Sequence, residues 1–166
     1  MLRTLQGLSL MAAVLTTGLS AGLYYGVAVA VMPGLAQGSD HGFVEGMRGI
    51  NRAILNGWFL LLFGGSLVFL LLAGALQLAG QRRAALPWIV AALVLYAGVL
   101  LITFRYHIPL NDALEKGGLP ESADRLHAAR EAFEAEWTRW NRVRAVCNTA
   151  AFASAAWALV RFGTQG

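Results

Sequence analysis

Four apolar stretches of membrane length constrain the fold of this chain more than any other feature. They cover about residues 8–32, 55–79, 86–104 and 143–160, and each approaches the roughly 20 residues needed to cross a hydrocarbon core of about 30 Å. Hydrophobic residues make up 57% of the sequence and charged residues 13%, whereas soluble domains hold roughly 45–50% and about 25%. The sequence therefore predicts an all-α fold, a four-transmembrane-helix bundle that forms a single integral membrane domain over residues 1–166.

The two longer loops carry helical patterns of their own. In loop one, Phe43, Met47, Ile50 and Ile54 recur at helical spacing and predict a short amphipathic helix before the second span. In loop three, an amphipathic helix is predicted over about residues 121–142, continuous with the fourth span. Loops one and three are therefore expected to form an extramembrane helical cap.

Prolines and one short loop are expected to delimit the apolar helices. Pro33 is expected to end the first helix, and Pro109 is expected to turn the chain after the third. Pro87 suits the first turn of the third helix, where its missing N–H is not needed. A tight turn over residues 81–83 is expected to make the second and third spans an antiparallel hairpin.

The charge pattern does not favour nucleic acid as a partner. The net charge is only +4, and the arginine excess is interpreted as facing anionic membrane lipids. Arg3 and the Arg82-Arg83 pair favour cytoplasmic termini, although the opposite face carries more basic residues that acids nearly balance. We expect an integral protein of a bacterial inner membrane with both termini in the cytoplasm.

A ladder of small residues marks one face of the first span. Gly18, Gly22, Gly26 and Ala30 recur every four residues, which allows close approach of another helix. This face is predicted to be a packing seam, and a homo-oligomer could use it. The alternative is that these glycines are scattered, as glycines often are in membrane helices.

Two polar-aromatic clusters border the apolar spans at what should be one membrane face. Residues 107–112 directly follow the third span, and residues 137–144 lead into the fourth. Trp137, Asn141 and Arg144 fall on one helical stripe, and polar groups at membrane depth are costly unless they face the bundle or a cavity. The clusters therefore predict a site, with an interfacial aromatic belt and a snorkelling arginine as the alternative.

His107 is the candidate general base of this site. A neutral imidazole can accept a proton, and an ordinary histidine pKa of about 6.5 suits that task at neutral pH. The alternative is an interfacial histidine bonded to a backbone carbonyl. His41 and His127 are expected on the same face, but no His or Cys spacing typical of a metal site occurs. No metal or other cofactor is predicted.

Four motifs stand out in combination: Tyr24-Tyr25-Gly26 leading to Val31-Met32-Pro33-Gly34, Gly46-Met47-Arg48 leading to Asn51, His107-Ile108-Pro109-Leu110-Asn111, and Trp137 to Arg144 with Trp140 and Asn141 between them. Together they resemble the anthrone oxygenase-like family of small integral membrane proteins, over nearly the whole chain. Characterised fungal and actinobacterial members look like oxygenases that convert polyketide anthrones to anthraquinones without a recognised metal or flavin.

The resemblance implies a cofactor-independent oxygenase acting on anthrone-like or other phenolic, quinone-like hydrophobic molecules. His107 would be the catalytic base, and Arg144 would stabilise the developing enolate. The alternative is a non-enzymatic accessory membrane protein that binds a lipid or a quinone. The resemblance implies that Asn111 and Asn141 bind substrate oxygens and that Trp137 and Trp140 wall an apolar pocket. Asn51 and Arg144 are also predicted to bind the substrate.

Overall fold

The structure is a computed structural model that describes residues 1–80 and 83–164, and over these ranges it contains helices and no strands. Four helical stretches are long and apolar enough to cross a membrane, so the predicted all-α, four-span architecture is confirmed. Residues 81 and 82 of the predicted turn lie outside the described residues. The α-helices are α1 (Leu2–Gly26), α2 (Met32–Ala36), α3 (Asp40–Ile54), α4 (Gly57–Ala79), α5 (Leu86–Ile102), α6 (Ile108–Lys116) and α7 (Ala123–Gly163), and π-helical turns at Val27–Val31 and Thr103–His107 join α1 to α2 and α5 to α6.

The helices do not end at the two prolines where breaks were predicted. Pro33 lies in the first turn of α2 and Pro109 in the first turn of α6, and each follows a π-helical turn directly. Proline lacks an N–H, and in an α-helix its ring clashes with the carbonyl four residues earlier. In both π turns the residue before proline donates its N–H to the carbonyl five residues earlier, and this wider turn accommodates the ring. The predicted helix ends were wrong, because a π turn before the proline lets the helix continue where a break was expected.

The membrane core consists of small and aromatic side chains shared by α1, α4, α5 and α7. Ala13, Leu70, Tyr96 and Ala151 are buried in this cluster. At Gly18, an added Cβ would lie 2.9 Å from Cε2 of Phe152 on α7, so the first residue of the predicted ladder packs within the same chain. Small side chains therefore let α1 and α7 approach closely, as is common in membrane bundles.

The cap has a hydrophobic core separate from that of the membrane bundle. Phe43 and Met47 on α3 are buried against Phe133 and Trp137 on α7, which confirms the predicted amphipathic face of loop one. Ser39 begins α3 by accepting a hydrogen bond from the Gly42 amide at 3.2 Å. Loops one and three thus form the helical cap that was expected.

Arg130 fastens the cap to the end of α2. Its guanidinium donates to the backbone oxygens of Ala36 at 2.8 Å and Gly38 at 3.0 Å, and to Asp40 Oδ1 at 3.0 Å. The same group lies 4.8 Å from the centre of the Phe43 ring. Because α7 carries Arg130, these contacts fix the first loop against the helix that leads into the candidate site.

Candidate functional site

A cavity of about 410 Å³ lies where the cap meets the membrane bundle. This volume falls in the range of about 300–1,000 Å³ that is common for small-molecule sites. Both π-helical turns contribute to its walls, together with the end of α3, the start of α4 and α7. The lining residues with polar side-chain atoms are Tyr24, Asn51, Arg52, Thr103, His107, Asn111, Asp112, Glu115, Trp137 and Arg144.

The two polar-aromatic clusters meet at this cavity. The rings of His107 and Trp137 lie edge to face, with their centroids 4.9 Å apart. Trp137 Nε1 also donates to Asn111 Oδ1 at 2.8 Å. The two clusters therefore lie together at one end of the bundle, as the sequence predicted.

His107 is the last residue of the second π turn and faces the cavity from within the bundle. Its exposed fraction is 2%, and neither ring nitrogen has a hydrogen-bond partner among the residues that the structure describes. Thr103, four residues earlier, lines the same cavity, because residues four apart lie on one side of a helix. Burial of unpartnered polar atoms is costly. A ligand that hydrogen-bonds to the imidazole would offset this cost.

Arg144 brings a positive charge into the same cavity. Its Nη2 donates to Asn141 Oδ1 at 2.9 Å and its Nη1 to Thr103 Oγ1 at 3.3 Å. Its Nε is buried without a partner, and within residues 1–80 and 83–164 no carboxylate forms an ion pair with it. A buried charge of this kind needs a compensating group, which an anionic or electron-rich oxygen of a ligand would supply.

Tyr24 and Thr103 are cavity residues to which the sequence reasoning gave no role. The guanidinium carbon of Arg144 lies 4.1 Å from the centre of the Tyr24 ring, a cation–π contact. The Tyr24 hydroxyl is buried and has no hydrogen-bond partner in the described part of the chain. The spacing of polar residues in these apolar helices was a signal for both. Tyr24 follows Ser20 by four residues and His107 follows Thr103 by four, so each pair lies on one side of its helix.

Asn141 and Trp140 lie outside the cavity wall, although both were predicted as substrate-binding residues. Asn141 is fully buried, and its Nδ2 donates to the Tyr24 backbone oxygen at 3.3 Å. Because its Oδ1 accepts a hydrogen bond from Arg144 Nη2, Asn141 positions the guanidinium from outside the cavity. Trp140 stacks on Tyr106 with centroids 3.8 Å apart, and its Nε1 donates to Glu136 at 2.7 Å. Its position on the flank of α7 is that of an interfacial aromatic residue.

The other predicted residues all line the cavity, and Asn51 contributes an unused donor. These are His107, Asn111, Trp137 and Arg144, together with Asn51. Asn51 Nδ2 is buried, and no described residue accepts a hydrogen bond from it. The cavity thus presents donors from both the cap and α7 to whatever occupies it.

The remaining histidines contact carboxylates within the cap. His41 Nδ1 lies 3.7 Å from Glu45 Oε2, and His127 Nδ1 lies 3.0 Å from Asp40 Oδ2. The hydrogen bond with His127, aided by Arg130, lowers the pKa of Asp40. Over the described ranges no three His, Cys, Asp or Glu side chains come together as a metal site.

The spans define a small four-helix integral membrane protein, and the cavity below its cap is the candidate site. A family model described as anthrone oxygenase matches residues 58–154, more than half of the 166 residues. The chain belongs to this anthrone oxygenase family. No curated protein and no solved structure matches it. The matched region contains His107 and Arg144 and excludes Tyr24 and Asn51.

Proposed function

We propose that the protein is a cofactor-independent oxygenase that acts on anthrone-like or other phenolic hydrophobic molecules. One observation carries the proposal: the imidazole of His107 and the guanidinium of Arg144 line the same largely apolar cavity, and no described residue hydrogen-bonds the imidazole or pairs a carboxylate with the guanidinium. A base beside a fixed positive charge suits removal of a proton next to a ketone, because the enolate oxygen that forms is stabilised where it appears. The family supports the same reaction class.

The chemistry balances with dioxygen as the only co-reactant. His107 takes a proton from the methylene carbon opposite the anthrone carbonyl, and the electron pair of the broken C–H bond delocalises into an enolate whose oxygen lies at Arg144. The carbanion reduces O₂ by electron transfer and then forms a C–O bond, and the resulting peroxide takes a proton from the imidazolium. Loss of the second methylene proton with cleavage of the O–O bond gives the quinone carbonyl and water. In sum, CH₂ and O₂ become C=O and H₂O.

The other polar residues have supporting roles in this proposal. Asn51 and Asn111 bind the phenolic oxygens, and Trp137 forms an aromatic wall against the substrate ring. Asn141 acts as a positioning residue, because it contacts Arg144 and does not line the cavity. Trp140 has no substrate contact in this scheme.

A non-enzymatic binding protein for a lipid or quinone is the second candidate. Arg144 Nε and Asn51 Nδ2 are both donors without a hydrogen-bond partner in the described part of the chain, and two donors can hold the acceptor oxygens of a quinone without any base. In this scheme His107 contributes only a further contact. The two functions differ in whether bound ligand is turned over.

Oxygen uptake by protein in nanodiscs tests the proposal. Given 1,8-dihydroxyanthrone, we expect the wild type to consume one O₂ per anthraquinone formed, and ¹⁸O₂ should place one labelled atom in the new carbonyl. The rate without protein gives the autoxidation background, and His41→Gln is a matched histidine control in the cap. Tight binding of the anthrone with no rate above background would reject the oxygenase and favour the binding protein.

We also propose that both termini lie on the cytoplasmic side of a bacterial inner membrane. Arg3 lies 5.6 Å from the centre of the Phe162 ring, so both termini are at the same end of the bundle. Arg83 and Arg161 belong to that end as well, and basic residues favour the cytoplasm. The cap carries more basic residues, but acids nearly balance them, so the proposal rests on the short loop and the two terminal segments. Labelling of single cysteines placed at the termini of the protein, in intact cells, tests this orientation. Reaction of these cysteines with an impermeant thiol reagent would refute it.

A homo-oligomer through the small-residue ladder is a further proposal. An added Cβ at Gly22 or Gly26 would meet no atom of the described residues within 4 Å, and Ala30 is exposed. Gly18 contacts Phe152 of its own chain, so the proposed seam begins after it. Native mass spectrometry tests this seam, and a monomer in mild detergent that Gly22→Leu leaves unchanged would argue against it.

A further inference from the structure

The cavity reaches the protein surface along a slot between the α3–α4 corner and α6. Three cavity-lining residues on this slot are also exposed and apolar: Leu55 at 73%, Leu60 at 59% and Ile108 at 40%. Residues that line a cavity and are also exposed mark where it meets the surroundings. Arg52, Asp112 and Glu115, which also line the cavity and are exposed, lie further toward the cap. Val31 on the first π turn is a further apolar lining residue that is exposed, at 36%. The slot therefore has an apolar end toward the membrane and a polar end toward the cap.

The polar end is bridged by an ion pair. Arg48 Nε and Nη2 each donate to one carboxylate oxygen of Glu115, both at 3.2 Å, and Arg52 Nε lies 3.8 Å from Glu115. A bidentate arginine–carboxylate pair has a fixed geometry and is among the stronger charged contacts. It ties α3 to α6 above the cavity and narrows the approach from water.

Among the residues that the structure describes, no ion pair bridges the apolar end. Phe63 on α4 lines the cavity at this end, and its ring lies edge to face with that of Phe104 on α5, with centroids 6.4 Å apart. Phe59 stacks on Phe63 with centroids 5.6 Å apart. The exposed edges at this end are the aliphatic side chains of Leu55, Leu60 and Ile108, which acyl chains of the bilayer would cover.

We propose that the ligand enters the cavity laterally from the bilayer, as a neutral molecule dissolved in the membrane. A charged molecule crossing the apolar edge would lose its hydration without compensation, so the ligand must be uncharged on entry. Resting on the proposed function, the ligand class is then a neutral fused-ring ketone that becomes an enolate only after His107 takes its proton. The positive charge of Arg144 lies inside, where that ionisation occurs.

Cysteine labelling in nanodiscs tests this route without any need for turnover. Val27 lines the cavity from the first π turn, so Val27→Cys in a Cys147→Ser background places one thiol inside. A neutral, membrane-partitioning maleimide should label it quickly, and a sulfonated maleimide should label it slowly. Glu115→Gln, which releases the ion pair, should accelerate only the sulfonated reagent.

Narrowing the slot provides the decisive comparison. Leu60→Trp should slow the neutral maleimide at least about tenfold, equivalent to an entry barrier raised by about 1.4 kcal/mol. Leu61→Trp is the matched control, because Leu61 is exposed on the same helix and does not line the cavity. If Leu60→Trp does not fold, Ile108→Trp narrows the opposite edge.

Two results would overturn lateral entry. One is equal slowing by Leu60→Trp and Leu61→Trp, and the other is a sulfonated maleimide that labels the unmodified slot as fast as the neutral one. Neither readout involves oxygen or anthrone. A protein that labels as expected but does not accelerate anthrone oxidation would therefore reject the proposed oxygenase and leave the entry route intact.

Discussion

The guanidinium carbon of Arg144 lies 4.1 Å from the centre of the Tyr24 ring, inside the bundle and beside the cavity. A cation–π contact of this kind is worth roughly 0.5–2 kcal/mol, which is less than the cost of burying a charge. The aromatic ring orients the guanidinium but does not neutralise it. The charge is therefore left for a ligand, and the first prediction follows from this imbalance.

Arg144→Gln should weaken binding of an anionic aromatic ligand. A hydrogen bond to a charged group contributes about 1.5–3 kcal/mol, or roughly 10- to 150-fold in Kd. Isothermal titration of 1,8-dihydroxyanthraquinone into protein nanodiscs measures the change, at a pH near the pKa of the ligand, so that the neutral form can enter and the bound form can ionise. Arg142→Gln is the control, since Arg142 is exposed on the same helix. Equal affinity for wild type and Arg144→Gln would remove Arg144 from the site.

Asn141 is expected to act only through Arg144. In Asn141→Asp, the side chain at position 141 still accepts the hydrogen bond from Arg144, but it now carries a negative charge that pairs with the guanidinium. Affinity for an anionic ligand should then fall, while affinity for a neutral anthraquinone changes little. A purely structural role for Asn141 would lower both affinities alike, and titration of the two ligands distinguishes these outcomes.

Coupling between the two residues provides an independent check. Asn141→Ala combined with Arg144→Gln should bind no more weakly than Arg144→Gln alone, because residues in one hydrogen-bonded unit are not additive. Titration of all three variants with the anionic ligand completes the double-mutant cycle. Additive losses would mean that Asn141 contacts the ligand on its own account.

Acidic pH should destabilise the cap by protonating Asp40. The hydrogen bond with His127, aided by Arg130, lowers the pKa of Asp40 in the folded protein. A carboxyl with a depressed folded pKa stabilises the fold above its unfolded pKa of about 3.9, and this contribution is lost as pH falls below that value. The melting temperature of the wild type should therefore fall more steeply below about pH 4 than that of Asp40→Asn. Parallel curves for the two proteins would contradict this assignment.

The sequence predicted the membrane spans and the cap well because both rest on apolar periodicity. Phe43 and Met47 are buried on the predicted face of α3, and His107 and Trp137 meet as expected. The ends at Pro33 and Pro109 were wrong, since local rules for proline do not reveal that a π turn can precede it. Asn141 and Trp140 share a helix with Trp137, but small differences in angle around that helix decide which side chains reach the cavity.

Tyr24 illustrates a further limit of sequence reasoning. It lies in an apolar span distant in sequence from Arg144, and only packing of α1 against α7 brings the two together. The same packing lets Asn141 bond the Tyr24 backbone oxygen at 3.3 Å. Contacts of this kind depend on the rotation of each helix about its axis, which a pattern of apolar residues constrains only loosely.

The role of His107 as the base is tested most directly by proton exchange without oxygen. Under anaerobic conditions in D₂O, the wild type should accelerate replacement of the methylene protons of 1,8-dihydroxyanthrone by deuterium, followed by NMR. His107→Gln should reduce this acceleration by about 10²- to 10⁴-fold, the usual contribution of a general base, whereas His41→Gln should retain it. Exchange by a folded His107→Gln protein at the wild-type rate would contradict the account.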